Sequence, residues 1–308
     1  METTSDTADK TYASEQDLAQ VVSDDAKGPR KSRHPRWATL RQPRVGVPLA
    51  FLVILGLMTI AAPLVAPHSP TKLLGAPLIS PGSDFLLGTD DFGRDVLSRL
   101  IYAGRVSLGV SAGAVALATL AGVTLGLCAG YFRGAPEFII MRGMDLILSF
   151  PTIVLAIAMV AFLGPSIRNL IIIIAIIYTP RFVRIVYGST LVIGDSDFVH
   201  AARVIGSSNA RILRTAILPN VMAPIFVQVS LSLGFAILVE SGLSFLGLGA
   251  QPPTPSWGNM ISGARPYMEL YPHLLIFPSI VIGITILMLN TLGDGLRDAL
   301  DPRLRGSR

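Results

Sequence analysis

Val106-Ser-Leu-Gly-Val-Ser-Ala-Gly-Ala-Val-Ala-Leu-Ala-Thr-Leu-Ala-Gly-Val-Thr-Leu-Gly-Leu-Cys-Ala-Gly-Tyr-Phe132 runs for 27 residues without a charge. About 20 apolar residues are enough to cross a hydrocarbon layer roughly 30 Å thick, so the stretch predicts a membrane-spanning helix. Gly109, Gly113, Gly122, Gly126 and Gly130 include a Gly-xxx-Gly-xxx-Gly row. Small residues four apart share one helix face and let a second backbone come close. The helix is therefore expected to be buried against a neighbouring helix or subunit. Cys128, the single cysteine, excludes a disulfide framework within the chain and reads as a small packing residue.

Working outward, charge-free intervals of similar length recur at Val45–Thr71, Leu146–Ile167, Thr215–Val239 and Leu270–Gly293. A shorter one, Asn169–Pro180, spans if Arg168 reaches one interface while Arg181 and Arg184 snorkel to the other. Gly164-Pro165-Ser166 then forms the tight turn before it. The expectation is an all-α membrane protein with six transmembrane helices. Composition agrees: 51% of residues are hydrophobic, 15% are charged and mean hydropathy is +0.59. A soluble domain carries roughly 25% charged residues.

The net charge of +5 does not indicate nucleic acid, because the basic residues sit in short segments between apolar runs. With the amino terminus inside, Lys72, Arg94, Arg99, Arg105, Arg168 and Arg265 are external, and the other nineteen of the 25 Lys and Arg are internal. That asymmetry predicts cytoplasmic termini in a cytoplasmic (inner) membrane. The organisation read from it is a disordered cytoplasmic tail over 1–44, acidic over 1–26 and basic over 27–44. The basic half suits anionic lipid heads. A first span follows over 45–67, then an extracytoplasmic segment over 68–105. A five-helix core over 106–294 contains a cytoplasmic loop at 184–219, and 295–308 is a cytoplasmic tail.

That loop is more than a connector. Gly194-Asp-Ser-Asp-Phe-Val-His-Ala-Ala-Arg-Val-Ile-Gly206 offers Asp195, Ser196 or Asp197 as a helix cap and Gly206 as a left-handed terminator. Ser207, Ser208 or Asn209 can cap a second helix running to Ile217, and Pro219 marks re-entry into the fifth span. Elsewhere, Glu240 stands near the outer end of that span. It reads either as lining a translocation path or gate, or as an interfacial acid that is solvated or bonded to backbone. Gln228 in the same span reads as a path residue or as interhelical glue. Asp145, opening the third span, suits a helix amino terminus. His34, His68, His200 and His273 lack metal-ligand spacing, so no metal site is expected. None of the four lysines follows a glycine, which excludes a Walker A loop, and no catalytic signature is present.

His200-Ala201-Ala202, three residues, Gly206, nine residues and then Ala216-Ile217-Leu218-Pro219 resembles the "EAA" loop of ABC importer permeases, with His200 for the usual Glu and Ala216 for the usual Ile. Leu87–Leu100 with Gly104–Leu108, Glu240–Gly249 with Pro252–Gly258, and Asn290–Leu304 resemble the dipeptide and oligopeptide class, specifically its C-type subunit. The resemblance implies a type I importer fold. It implies that His200, Ala201, Ala202, Arg203, Gly206, Ser207, Leu218 and Pro219 couple to an ATP-hydrolysing subunit. Partners follow: a related B-type permease, one or two ATP-binding subunits that hold ATP and Mg, an extracytoplasmic peptide-binding receptor, and membrane lipids. No cofactor is expected in this chain. Receptor docking is expected on 67–105 and on Ala250–Pro272, including Trp257 and Gly258; the latter loop reads as a docking or plug element or as simple loop packing. Nickel, glutathione and murein-peptide importers share this permease type. An ion-driven secondary transporter is the rival class, but its inverted repeats and broken, acid-bearing midplane helices are not evident.

Overall fold

The computed structural model describes residues 43–300. The expected tail over 1–44 lies outside these residues but for its last two, and 301–308 lie outside them as well. Among the described residues there is no strand beyond an isolated bridge between Thr89 and Asp95. The helices are α1 (Pro43–Ile60), α2 (Ala62–Val65), α3 (Val96–Phe132), α4 (Ala135–Leu148), α5 (Thr152–Leu163), α6 (Ile167–Gly194), α7 (Asp197–Val204), α8 (Asn209–Ile212), α9 (Leu218–Phe245), α10 (Trp257–Ala264) and α11 (His273–Leu300). Four helical runs are long and apolar enough to cross a membrane alone: α3, α6, α8 through α9, and α11. Counted as one span despite its bend, the α4–α5 pair makes a fifth. At about 1.5 Å per residue, α1 is about 27 Å long, which is within the range that spans.

The glycine row does what its spacing demands, and its partner is α6. A Cβ at Gly122 would lie 2.2 Å from Phe182 Cβ, one at Gly126 2.7 Å from Val186 Cβ, and one at Gly130 2.7 Å from Thr190 Cβ. Three glycines four apart thus seat three residues four apart, and the two backbones touch where side chains would hold them off. Gly109, by contrast, has nothing within 4 Å. Around this pair the main core forms from Val110, Ala114 and Ala118 of α3, Ala156 and Val160 of α5, Leu170 to Phe182 of α6, and Ala236 to Leu243 of α9. Large exposed apolar side chains, Leu120, Phe162 and Leu287 among them, face outward on the spans, as a lipid-facing surface requires.

Three boundaries differ from the sequence expectation. The helix containing the glycine row starts at Val96, ten residues earlier than its charge-free interval. Asp95 caps it by accepting from Ser98 N at 3.0 Å, and Arg99 is neutralised by Asp90 at 3.2 Å, so the charges are accommodated rather than excluded. The third interval is not one straight helix. It breaks at Ser149-Phe150-Pro151, and α4 and α5 meet at 92°. Pro151 lacks an amide proton and pushes Phe150 out of the helical region, which accounts for the break. Asp145 consequently lies in the last turn of α4 rather than at a helix start, where it pairs with Arg184 at 2.8 Å and Arg142 at 3.4 Å. The fourth span, short by composition, extends from a Ser166 cap to Gly194 as a continuous helix through Pro180. Arg181 stays beside it by lying over the Tyr178 and Phe235 rings, at 4.9 and 5.4 Å.

Candidate functional site

The loop after α6 folds into the short helix, turn and helix that its capping residues predict. Ser196 is the N-cap of α7 by backbone geometry, although its hydroxyl turns back to Ile193 O instead of capping. The helix ends at Gly206, whose φ is +78°. Gly206 N–H donates to Arg203 O and Ser207 N–H to Ala202 O, each at 3.0 Å, which is the two-bond Schellman closure. Between these ends α7 is amphipathic over two turns. Val199 is buried and Ala202 half-buried, against Val186, Ile212, Ile217, Val221 and Ile225. Phe198, His200, Ala201, Arg203, Val204 and Ile205 are exposed, Val204 at 87% and Ile205 at 80%.

The second half departs from expectation. α8 does not stop before the fifth span but passes through a π-turn, Leu213–Ile217, directly into α9. Pro219 cannot donate to the carbonyl four residues back, and the wide turn absorbs that lost bond. Leu218 is half-buried against the α7 cluster, while Pro219 is exposed in the first turn of α9. The two halves of the loop share one buried cluster, Val199, Ile212 and Ile217, beneath a surface that carries His200 and Pro219. Two contacts invisible to local sequence tie that surface to α3. The Tyr131 hydroxyl donates to Asn209 Oδ1 at 2.8 Å, and the Arg203 guanidinium lies 5.1 Å from the Tyr131 ring centre. A third, Arg133 to Asp195 at 2.7 Å, is an exposed ion pair of the kind that contributes little.

At the opposite end of α3 lies a polar node. Glu240 is 0% exposed and accepts from Ser244 Oγ at 2.7 Å and Ser241 Oγ at 3.4 Å, with Ser107 as a further hydroxyl partner. It is not solvated within the fold, and its partners are serine hydroxyls rather than backbone. No ion pair reaches it among the described residues. Gln228 donates to Ser232 Oγ, four residues on in its own helix, at 2.9 Å. Trp257 is 0% exposed; its backbone N–H donates to Ser107 Oγ at 3.2 Å and its indole Nε1 to Leu100 O at 3.1 Å. A Cβ on Gly258 would lie 2.2 Å from Ser241 O. Trp257 and Gly258 are therefore not a surface that a docked protein could touch, as the sequence reading had them. They are the seat that fixes α10 among α3, α9 and α11. The accessible feature nearby is a cleft of about 470 Å³ between Asp90–Arg99 and Pro252–Leu274, with Asp91, Phe92, Met260 and Tyr267 in its wall. Burial raises the Asp91 carboxyl above its ordinary range and Asp90 adds to the shift, while Arg94, at 3.8 Å, acts against it.

The helical fold and its long apolar spans describe a multi-pass membrane protein. Residues 122–306 match the binding-protein-dependent transport system inner membrane component family, and the chain belongs to it. It is 41% identical over 266 residues to the di/tripeptide transport system permease protein of Pseudomonas aeruginosa, covering 84% of this chain and 88% of that one. Identity to the dipeptide transport system permease protein of Alkalihalophilus pseudofirmus is 46%, over 74% of this chain and 75% of that one. Identity to the glutathione transport system permease protein of Pectobacterium atrosepticum is 45%, over 73% and 75%. Among solved structures, the inward-facing MetNI methionine ABC transporter superposes with a TM-score of 0.55 at 15% identity, covering 66% of this chain and 97% of that one, which shows the shared fold. The chain is a multi-pass membrane component of an ABC importer.

Proposed function

We propose that this permease carries dipeptides and tripeptides into the cytoplasm, powered by ATP hydrolysis in partner subunits that dock on the His200–Pro219 loop. The observation carrying the docking half is the exposed apolar ridge Phe198, Val204 and Ile205 beside Ala201. Water does not favour such a ridge at the end of a membrane bundle, and a protein groove does. Ala201 lacks the bulk that would keep α7 out of that groove. His200 stands where the usual loop has Glu, so the contact is read as shape-driven, with Arg203, Arg211 and Arg214 available to an acidic rim. The loop and both termini are cytoplasmic in this reading. A loaded receptor and a second, related permease complete the assembly. The cleft at Asp91 and Phe92 replaces Trp257 as the proposed receptor contact. Glu240, tied through Ser107 to Trp257, serves the outer gate by fixing α10 rather than by meeting cargo.

The cargo reading rests on the relatives named for dipeptide and di/tripeptide transport, at 41–46% identity. Glutathione, itself a tripeptide, is the second reading, favoured by relatives of similar identity. A deletion strain complemented with the gene should regain uptake of a labelled dipeptide. Competition by unlabelled tripeptide or by glutathione then separates the two cargoes. Unchanged dipeptide uptake on deletion defeats the first reading. The purified chain alone should hydrolyse no ATP, because it lacks a phosphate-cradling loop. Turnover should appear only with the ATP-binding partners.

A further inference from the structure

We propose that Tyr131 positions the loop on the spans, acting as the clamp through which α3 and the loop move together. The inference rests on the reading of that loop as the contact for the ATP-hydrolysing subunit. Tyr131 occupies the last turn of α3, one residue before the helix ends at Phe132. Its half-buried ring packs on the cluster that includes Val199 of α7, Ile212 of α8 and Val221 of α9. From there it engages both halves of the loop. The ring carries Arg203, at the carboxyl end of α7, and the hydroxyl donates to Asn209, the first residue of α8. These two contacts flank the Gly206 turn, so one side chain fixes the angle between the helices that meet there.

The position of this clamp on α3 gives it reach. From Leu100, which accepts the Trp257 indole, to Tyr131, which holds Asn209, the helix rises about 46 Å at 1.5 Å per residue. Between those points the glycine row presses α3 onto α6, so the helix is supported along its length. A shift of the loop is therefore delivered to the seat of α10 by one continuous helix, provided Tyr131 keeps its hold. The Arg133–Asp195 pair does not substitute, because Asp195 closes α6 ahead of α7 and so does not grip the two sides of the Gly206 turn.

The test uses the complete importer in proteoliposomes, with Ser207→Cys in a Cys128→Ala background. Two quantities are read: the rate of maleimide labelling at position 207, and uptake of a labelled dipeptide. Tyr131→Phe keeps the ring and the Arg203 contact and removes only the hydroxyl. It should raise the labelling rate and lower uptake by between about twofold and about tenfold, the range for one hydrogen bond. Asn209→Ala should match it, and the double variant should be no worse than either single, because all three lack the same bond. Asn209→Asp, whose carboxylate can accept the same proton, should stay near the parent. A Tyr131→Phe variant indistinguishable from the parent, or a double variant whose losses multiply, overturns the proposal. If the importer with its native Ser207 and Cys128 moves no dipeptide, the cargo reading fails instead, and the labelling rates decide the clamp.

Discussion

Replacing Gly206 by valine isolates a backbone term with almost no steric contamination. The residue sits at φ +78°, and a Cβ built there meets nothing within 4 Å. A Cβ there is therefore uncrowded within this chain; the cost that remains within it is that of a left-handed conformation, about 1–2 kcal/mol for a residue with a side chain. At about 1.4 kcal/mol per decade that depletes the closed turn about 5- to 30-fold. The two 3.0 Å bonds from Gly206 N–H and Ser207 N–H go with it, and α7 loses its angle to α8. The packed spans themselves are not touched. Gly206→Val should insert and assemble at parental levels while uptake of labelled dipeptide and receptor-stimulated ATP hydrolysis both fall by that order. Gly206→Asn, which tolerates the left-handed region better, should keep more of both. Equal loss for Asn and Val, or no loss for either, refutes the backbone argument and leaves the turn without a special role.

Three further outcomes are expected. Gly126→Ala brings a Cβ to 2.7 Å from Val186 Cβ and 2.9 Å from Val183 O, so α3 and α6 must separate; it should lower stability by about 1–3 kcal/mol, whereas Gly109→Ala, with nothing near it, should leave the Tm in detergent unchanged. Cysteine in place of Ser207 should be protected from an impermeant thiol reagent in intact cells, and cysteine in place of Thr254 should react; the reverse pattern inverts the proposed topology. Asp91 has a raised carboxyl, so its charged form is disfavoured in the fold; Asp91→Asn should raise the Tm at neutral pH, with the gain fading as pH falls through the folded and then the unfolded carboxyl range. A variant that is less stable at neutral pH, or whose gain persists in acid, counts against that account.

What was legible in the sequence follows the range of each signal. The glycine row announced close approach because its spacing is a property of one helix, although nothing in it named α6 as the partner. The Gly206 turn was legible for the same local reason. Boundaries were misplaced where a long-range partner changes the meaning of a charge or a proline. The charge-free interval of α3 stopped at Arg105, with Arg99 beyond it, whereas the fold sets Asp90 beside Arg99; that of α6 stopped at Arg181, whereas the helix runs on to Gly194. Pro151 had the opposite fate, breaking an interval that composition presented as uniform. Trp257 was misassigned to a docking surface because a tryptophan in an outer, proline-rich loop resembles a contact residue. Only the fold shows its indole donating to Leu100 O, 157 positions away. The Tyr131–Asn209 bond spans 78 positions and has no local pattern at all.

The glycine row also bears on the order in which the protein is made. α3 ends at Phe132, but the residues that fill its notches run from Phe182 to Thr190, beyond both α4 and α5. At about 5–20 residues per second, α6 is complete only about 3–12 s after the last residue of α3. For that interval the bare face of α3 has no partner from its own chain. Glycine makes such a wait tolerable, since it presents no polar side chain to the lipid and its backbone is already bonded within the helix. The same notch that lets the two helices touch thus leaves the earlier one free to remain in the membrane until the later one arrives.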